Sequence, residues 1–293
     1  MQIWQAVILG LVEGMTEYLP VSSTGHLILA ASLMGLDDPE VKPAVDAFNI
    51  VIQGGAILAV LGLYRARVIQ MLRGVAGVVK IGSGDAIGLR LAINLLVAFI
   101  PAAILGVALD ARISHYLFHT GPVLAALALG GVYMILLDRW RAKRDAATPP
   151  PDTDGLASLT PAKALIIGLF QCIAMWPGTS RSMMTITAGV IVGLKPKDAA
   201  EFSFLLGLPT LGGACIYKLA KNLSDTSRPN MFETFGWAPI LVGMAVATVS
   251  AAIAVKWLVA FLTHHGLAPF GWYRLILCAV LGGLVLAGVV HIG

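Results

Sequence analysis

Glu13 and Glu17 lie four residues apart near the start of the chain, a spacing that puts both side chains on one helix face. Two carboxylates presented to one point are oxygen ligands for a hard divalent cation, Mg²⁺ or Ca²⁺, with Glu13 and Glu17 as the metal pair. A capping or interfacial pair is the plainer reading. The tract Ser22-Ser23-Thr24-Gly25-His26 follows, a hydroxyl-rich turn able to start a helix with one serine as its cap. His26 stands three residues after Ser23, in reach to orient its hydroxyl or take its proton, although a capping serine and a carbonyl-bonded histidine would use the same letters. Glu17, Ser23 and His26 are therefore candidate catalytic groups, with Ser22 and Thr24 beside them for substrate.

A second cluster, Pro177-Gly178-Thr179-Ser180-Arg181-Ser182, joins flexible backbone, three hydroxyls and one guanidinium. Helix N-termini and arginine forks both favour tetrahedral oxyanions, so Gly178, Thr179, Ser180 and Ser182 read as phosphate contacts and Arg181 as a catalytic charge. Alternatively, Arg181 neutralises Glu13 or Glu17. No GxxxxGK run accompanies the cluster, so nucleotide is not its ligand. Together the two clusters hold what metal-assisted phosphoryl transfer from a diphosphate uses. Ser23, His26 or a metal-bound water remains open as the attacking group.

The elements that must position these residues belong to a membrane protein. The 293 residues are 58% hydrophobic and 12% charged, about half the charge of an ordinary globular chain, and the apolar residues come in long runs. The net charge of +4 reflects basic loops beside anionic headgroups. No basic-aromatic cluster lies outside the apolar segments, so nucleic acid is not an expected partner. Cys172, Cys215 and Cys278 read as buried small hydrophobes. The N-terminal stretch lacks a basic n-region and contains both glutamates, unlike a cleavable signal peptide.

Residues 48–64, 91–109, 122–138, 203–219, 238–256 and 272–291 read as six transmembrane helices. Residues 3–35 and 164–194 are interrupted by EYLPVSSTGH and WPGTSRS, and such polar, irregular backbone at membrane depth must line protein or water, so both read as re-entrant helical hairpins. They also resemble each other: Gly10 falls on Gly168, Glu13 on Gln171 and, after a one-residue gap, Pro20 on Pro177. The expected fold is thus an all-α integral membrane protein of six transmembrane helices and two re-entrant hairpins in an inverted repeat, 1–138 and 164–293, joined by a cytoplasmic linker at 139–163. Asp46 and Glu201 fall at corresponding ends of repeated helices and read as N-terminal caps. Gln53, beside Gly54-Gly55 in a span, reads first as a polar helix–helix contact and second as a substrate contact.

With the loop 65–90 in the cytoplasm, fourteen basic residues, Arg274 among them, collect on that side against five, Arg228 among them, on the other. The first hairpin then enters from outside, the second from the cytoplasm, and their tips meet near the midplane. Inverted repeats with broken helices are also the plan of secondary transporters, so a lipid-phosphate flippase or transporter is the rival reading.

The ExxxE and PVSSTGH of the first half, PGTSRSMMT of the second, and the echoing FNIVIQGGAILAV and EFSFLLGLPTLGGA segments resemble the bacterial undecaprenyl-diphosphate phosphatase family of bacitracin resistance over nearly the whole chain. The resemblance implies a polyprenyl diphosphate lipid substrate, hydrolysed to undecaprenyl phosphate and inorganic phosphate to recycle the carrier of peptidoglycan synthesis. It implies a multi-pass protein of the bacterial inner membrane, in contact with membrane lipids; a homodimer is a candidate assembly, and the loop count turns the site to the periplasm. Carried over by motif position, Glu13 and Glu17 are the acidic pair, Ser23 and His26 the catalytic pair, and Ser180, Arg181 and Thr185 the diphosphate contacts.

Overall fold

Apolar runs with helical breaks fold into helices throughout. The structure, a computed structural model, describes residues 1–80, 84–147, 155–224 and 229–290, and no strand occurs among them. Six helices are long and apolar enough to cross a bilayer: α3 (Lys42–Leu63), α5 (Ala86–Leu117), α6 (Thr120–Ala147), α9 (Pro196–Ser224), α11 (Trp237–His264) and α12 (Ala268–Leu286). Each contains one of the six expected spans or most of it. Their outer faces expose Leu58, Ile104, Leu129, Ile216, Val249 and Ile276, which is the surface a lipid solvent leaves uncovered. The protein is a multi-pass, all-α membrane protein.

Two pairs of shorter helices sit among the six. The first is α1 (Ile3–Thr16) and α2 (Ser23–Leu33), the second α7 (Pro161–Ile173) and α8 (Arg181–Ile191). At about 1.5 Å per residue none of the four spans a hydrocarbon core of about 30 Å. Glycine lets each pair approach its neighbour: a Cβ on Gly10 would strike the Gly243 carbonyl on α11, and one on Gly168 would strike the Ala98 carbonyl on α5. The breaks also match. Ser22 (φ 73°) and Ser180 (φ 76°) are left-handed residues immediately before α2 and α8. Their separation in sequence is that of Gly10 and Gly168, so the helix starts align without the gap suggested by the two prolines.

Three expectations need correction. The loop 65–90 contains a helix, α4 (Arg65–Val78). It packs against α5 because Gly74 and Gly88 admit the opposing backbone, and its Ile69, Leu72, Val75 and Val78 are exposed. Asp46 and Glu201 are not caps, since α3 and α9 begin earlier, at Lys42 and Pro196; Glu201 instead accepts from Arg67 Nε of α4 at 2.8 Å. The stretch 139–163 is not all linker, because α6 runs to Ala147 and a 3₁₀ turn occupies Gly155–Ser158. Its middle, 148–154, and Arg228 of the loop count lie outside the described residues. A short helix α10 (Met231–Phe235) leads into α11.

Candidate active site

Where α1 stops, the chain turns through Glu17, Pro20 and Ser22 before α2 begins; where α7 stops, it turns through Gly178 and Ser180 before α8 begins. Gly178 has a φ of 94°, and a Cβ there would also crowd the Val123 carbonyl, so only glycine suits this tip. Ser180 caps α8, its Oγ accepting from the Met183 N–H at 3.3 Å.

The two tips touch. Arg181 Nη2, in the first turn of α8, donates to Glu17 Oε1 at 3.1 Å, and Ser182 Oγ donates to the Leu19 carbonyl at 2.8 Å. The other Glu17 oxygen, Oε2, accepts from Ser23 Oγ at 2.8 Å and from Gln53 Nε2 of α3 at 3.2 Å. Gln53, read first as a helix–helix contact, therefore reaches the site. Arg181 is held from behind: Nη1 donates to the Ser203 carbonyl of α9 at 2.8 Å, and the guanidinium carbon stands 5.3 Å over the Tyr18 ring. Thr185 Oγ1 lies 2.6 Å from Ser203 Oγ and donates to the Arg181 carbonyl at 2.9 Å. Thr185 thus supports the arginine and does not line the cavity.

Between the tips lies a cavity of about 140 Å³ lined by Glu17, Ser22, Ser23 and Thr24 from one side and Pro177, Gly178, Ser180 and Arg181 from the other, with Gln53, Ala174 and Leu211 completing the wall. That volume holds about four or five waters. Thr179 and Ser182 are buried behind it, as is Glu13, whose Oε1 has no hydrogen-bond partner among the described residues. A larger cavity of about 580 Å³ is lined by α3, α4, α5 and α9. The ring contacts Tyr64–Phe204 and Phe204–Tyr18 run from its wall toward Arg181. Its acids are committed, Glu201 to Arg67 and Asp85 to the Gly88 N–H at the start of α5. The smaller cavity is therefore the candidate site.

His26 lies differently from the sequence expectation. Its Nδ1 is 2.7 Å from the Ser22 carbonyl and its Nε2 is 2.7 Å from the Tyr273 hydroxyl, so both ring nitrogens are engaged, and the hydroxyl of Ser23 is turned to Glu17. A carbonyl only accepts, so Nδ1 carries the hydrogen and, in the neutral ring, Nε2 accepts from Tyr273.

Sequence reasoning missed Ser203, Tyr273 and Arg274. Arg274, counted above with the cytoplasmic loops, is fully buried in α12. It donates from Nη2 to the carbonyls of Ala126 (2.9 Å) and Gly178 (2.8 Å), from Nη1 to that of Thr179 (3.0 Å) and from Nε to that of Leu127 (3.4 Å). It braces the second tip to α6. The available signal was a single arginine inside an apolar span, a costly placement that demands partners.

A multi-pass helical membrane protein whose two broken helix pairs bring a glutamate, a serine and an arginine to one polar cavity is a definite class of molecule. The family model described as bacitracin resistance protein BacA matches residues 6–280, and the chain belongs to that family. It is 42% identical to an undecaprenyl-diphosphatase of Sorangium cellulosum over 97% of this chain and 85% of that one. It is 41% identical to undecaprenyl-diphosphatase 1 of Stutzerimonas stutzeri over 94% of this chain and 92% of that one. An undecaprenyl-diphosphatase of Cereibacter sphaeroides shares 39% identity over 97% of each.

Proposed function

We propose that the protein is a membrane phosphatase that hydrolyses undecaprenyl diphosphate to undecaprenyl phosphate and inorganic phosphate, returning the carrier lipid to peptidoglycan synthesis and conferring bacitracin resistance. The observation that carries the mechanism is the chain of contacts Ser23 Oγ to Glu17 Oε2, and Glu17 Oε1 to Arg181 Nη2. A serine hydroxyl already bonded to a carboxylate has its proton acceptor in place. Glu17 takes that proton as Ser23 Oγ attacks the terminal phosphorus. The Oγ–P bond forms, the bond to the bridging oxygen breaks, and undecaprenyl phosphate leaves. Glu17 passes its proton to the departing phosphate; water then attacks the phosphoserine, giving a proton to Glu17, which returns it to Ser23 Oγ as the Oγ–P bond breaks and inorganic phosphate is released. Arg181 and the N-terminal ends of α2 and α8, which meet at the cavity, face the charge that develops on the phosphoryl oxygens.

The donor set suits a divalent cation of the kind that takes one or two carboxylates and completes its shell with substrate phosphate. Glu13, with its unpartnered oxygen, and Glu17 would hold Mg²⁺ or Ca²⁺. The cation would supply charge neutralisation for the diphosphate.

We further propose that both short helix pairs are re-entrant and that 1–138 and 164–293 are inverted copies. The paired left-handed serines and the equal lengths of α2 and α8, 11 residues each, support this. Without Arg274 the basic loop bias is thirteen to five, and it favours a site opening to the periplasmic face of the bacterial inner membrane. Phosphate release from undecaprenyl diphosphate by the purified protein in detergent tests the activity. Release by the wild type and none by Ser23→Ala is the expected result; a wild type that releases no phosphate overturns it.

A further inference from the structure

Two adjacent residues of α12 reach the two tips of the site. Arg274 holds carbonyls of the second tip, at Gly178 and Thr179. Tyr273 reaches the first tip through one intermediary: its hydroxyl lies 2.7 Å from His26 Nε2, and His26 Nδ1 lies 2.7 Å from the Ser22 carbonyl. The tyrosine and histidine rings are nearly parallel, with 5° between their planes, so the phenol and imidazole meet in a fixed orientation. Neither Tyr273 nor His26 lines the cavity, whereas Ser22 and Ser23 do.

We infer that Tyr273 is a positioning residue for the nucleophile, acting through His26 on the Ser22–Ser23 peptide. The peptide is planar and trans, so its C=O and the following N–H point in opposite directions. When His26 holds the Ser22 carbonyl on the α12 side, the Ser23 N–H is directed to the other side, and Ser23 itself is set at the first residue of α2 with its Oγ on Glu17. Ser22 is left-handed, a conformation that a serine keeps only where its surroundings impose it. The His26 bond to the Ser22 carbonyl is one such constraint, and Tyr273 is what holds the His26 ring to that carbonyl. His26 in this arrangement acts on the backbone and does not take the proton of Ser23.

This inference rests on the reading of Ser23 as nucleophile, and its test separates the two. Tyr273→Phe keeps the ring and removes only the hydroxyl. The expected kcat for undecaprenyl diphosphate falls about two- to tenfold, the net worth of one neutral hydrogen bond, with KM and the thermal midpoint unchanged. In a His26→Ala background the same substitution has no further effect, because the intermediary is gone. Nitrogen-15 spectra of labelled histidine in detergent should show the His26 Nε2 resonance shifting in Tyr273→Phe while Nδ1 remains protonated. Wild-type kcat in Tyr273→Phe, an equal loss in both backgrounds, or an unshifted Nε2 resonance overturns the inference. A wild type that releases no phosphate, or a Ser23→Ala variant that retains turnover, overturns the hydrolase or nucleophile reading instead and takes the inference with it.

Discussion

Arg181 and Glu17, 164 positions apart in the sequence, form a buried ion pair at 3.1 Å across the meeting point of the two hairpin tips. Removing one partner of such a pair strands the other charge, at a cost of about 3–5 kcal/mol. The pair therefore links the assembly of the two halves to the chemistry. The same carboxylate that anchors the second tip to the first also accepts from the serine hydroxyl.

Glu17→Gln keeps the shape of the side chain and its bond to Gln53 or Ser23 in some rotamer, but it removes the carboxylate proposed as the base. The expected loss in kcat is about 10²–10⁴-fold, the usual worth of general-base assistance. Steady-state phosphate release at saturating substrate reads it. A variant within threefold of wild type would move the base elsewhere.

Arg181→Lys preserves charge and loses the fork that reaches the Ser203 carbonyl and Glu17 from two different nitrogens. Loss of one charged hydrogen bond is worth about 1.5–3 kcal/mol, or roughly ten- to over a hundredfold in kcat/KM. Wild-type kinetics in the lysine variant would show that charge alone is used.

Metal removal gives a separate expectation. Excess chelator should abolish phosphate release, added Mg²⁺ or Ca²⁺ should restore it, and Glu13→Gln should raise the cation concentration needed for half-maximal activity. Glu13 is buried, and its Oε1 has no hydrogen-bond partner among the described residues. Full activity of the wild type in chelator would leave Glu13 without that role.

Much of this architecture was legible because its signals are local. Each span is a long, mainly apolar run, and the two breaks announce themselves through Pro, Gly and Ser. Helix α4 was not legible: RARVIQMLRGVAGVV mixes arginine and glycine into an apolar stripe, and those glycines make sense only against α5. In the site, Glu17, Ser23 and Arg181 stand in short motifs with recognisable chemistry. Their supports do not. The four carbonyls that satisfy Arg274 come from α6 and from the second tip, about a hundred or more residues away, and Ser203 meets Arg181 from another helix. Such partners follow from the packing of α12 and α9, which no spacing in the sequence encodes.

The contacts rank the candidate nucleophiles. Ser23 Oγ has a carboxylate at 2.8 Å, lines the cavity and stands at the start of a helix that favours anions. His26 has both ring nitrogens occupied, by the Ser22 carbonyl and the Tyr273 hydroxyl, and would have to break one bond to attack. Ser23→Ala should therefore abolish turnover while substrate binding persists, because the alanine removes the attacking atom and leaves Arg181 and both helix ends in place. His26→Gln should leave a slow residual rate, since a glutamine can still donate toward a carbonyl. Rapid quenching with labelled undecaprenyl diphosphate, followed by mass spectrometry of the peptide spanning residues 22–26, should place the phosphoryl group on Ser23. Phosphohistidine at His26 would reverse the ranking, and substantial turnover by Ser23→Ala with no covalent label would assign the attack to water.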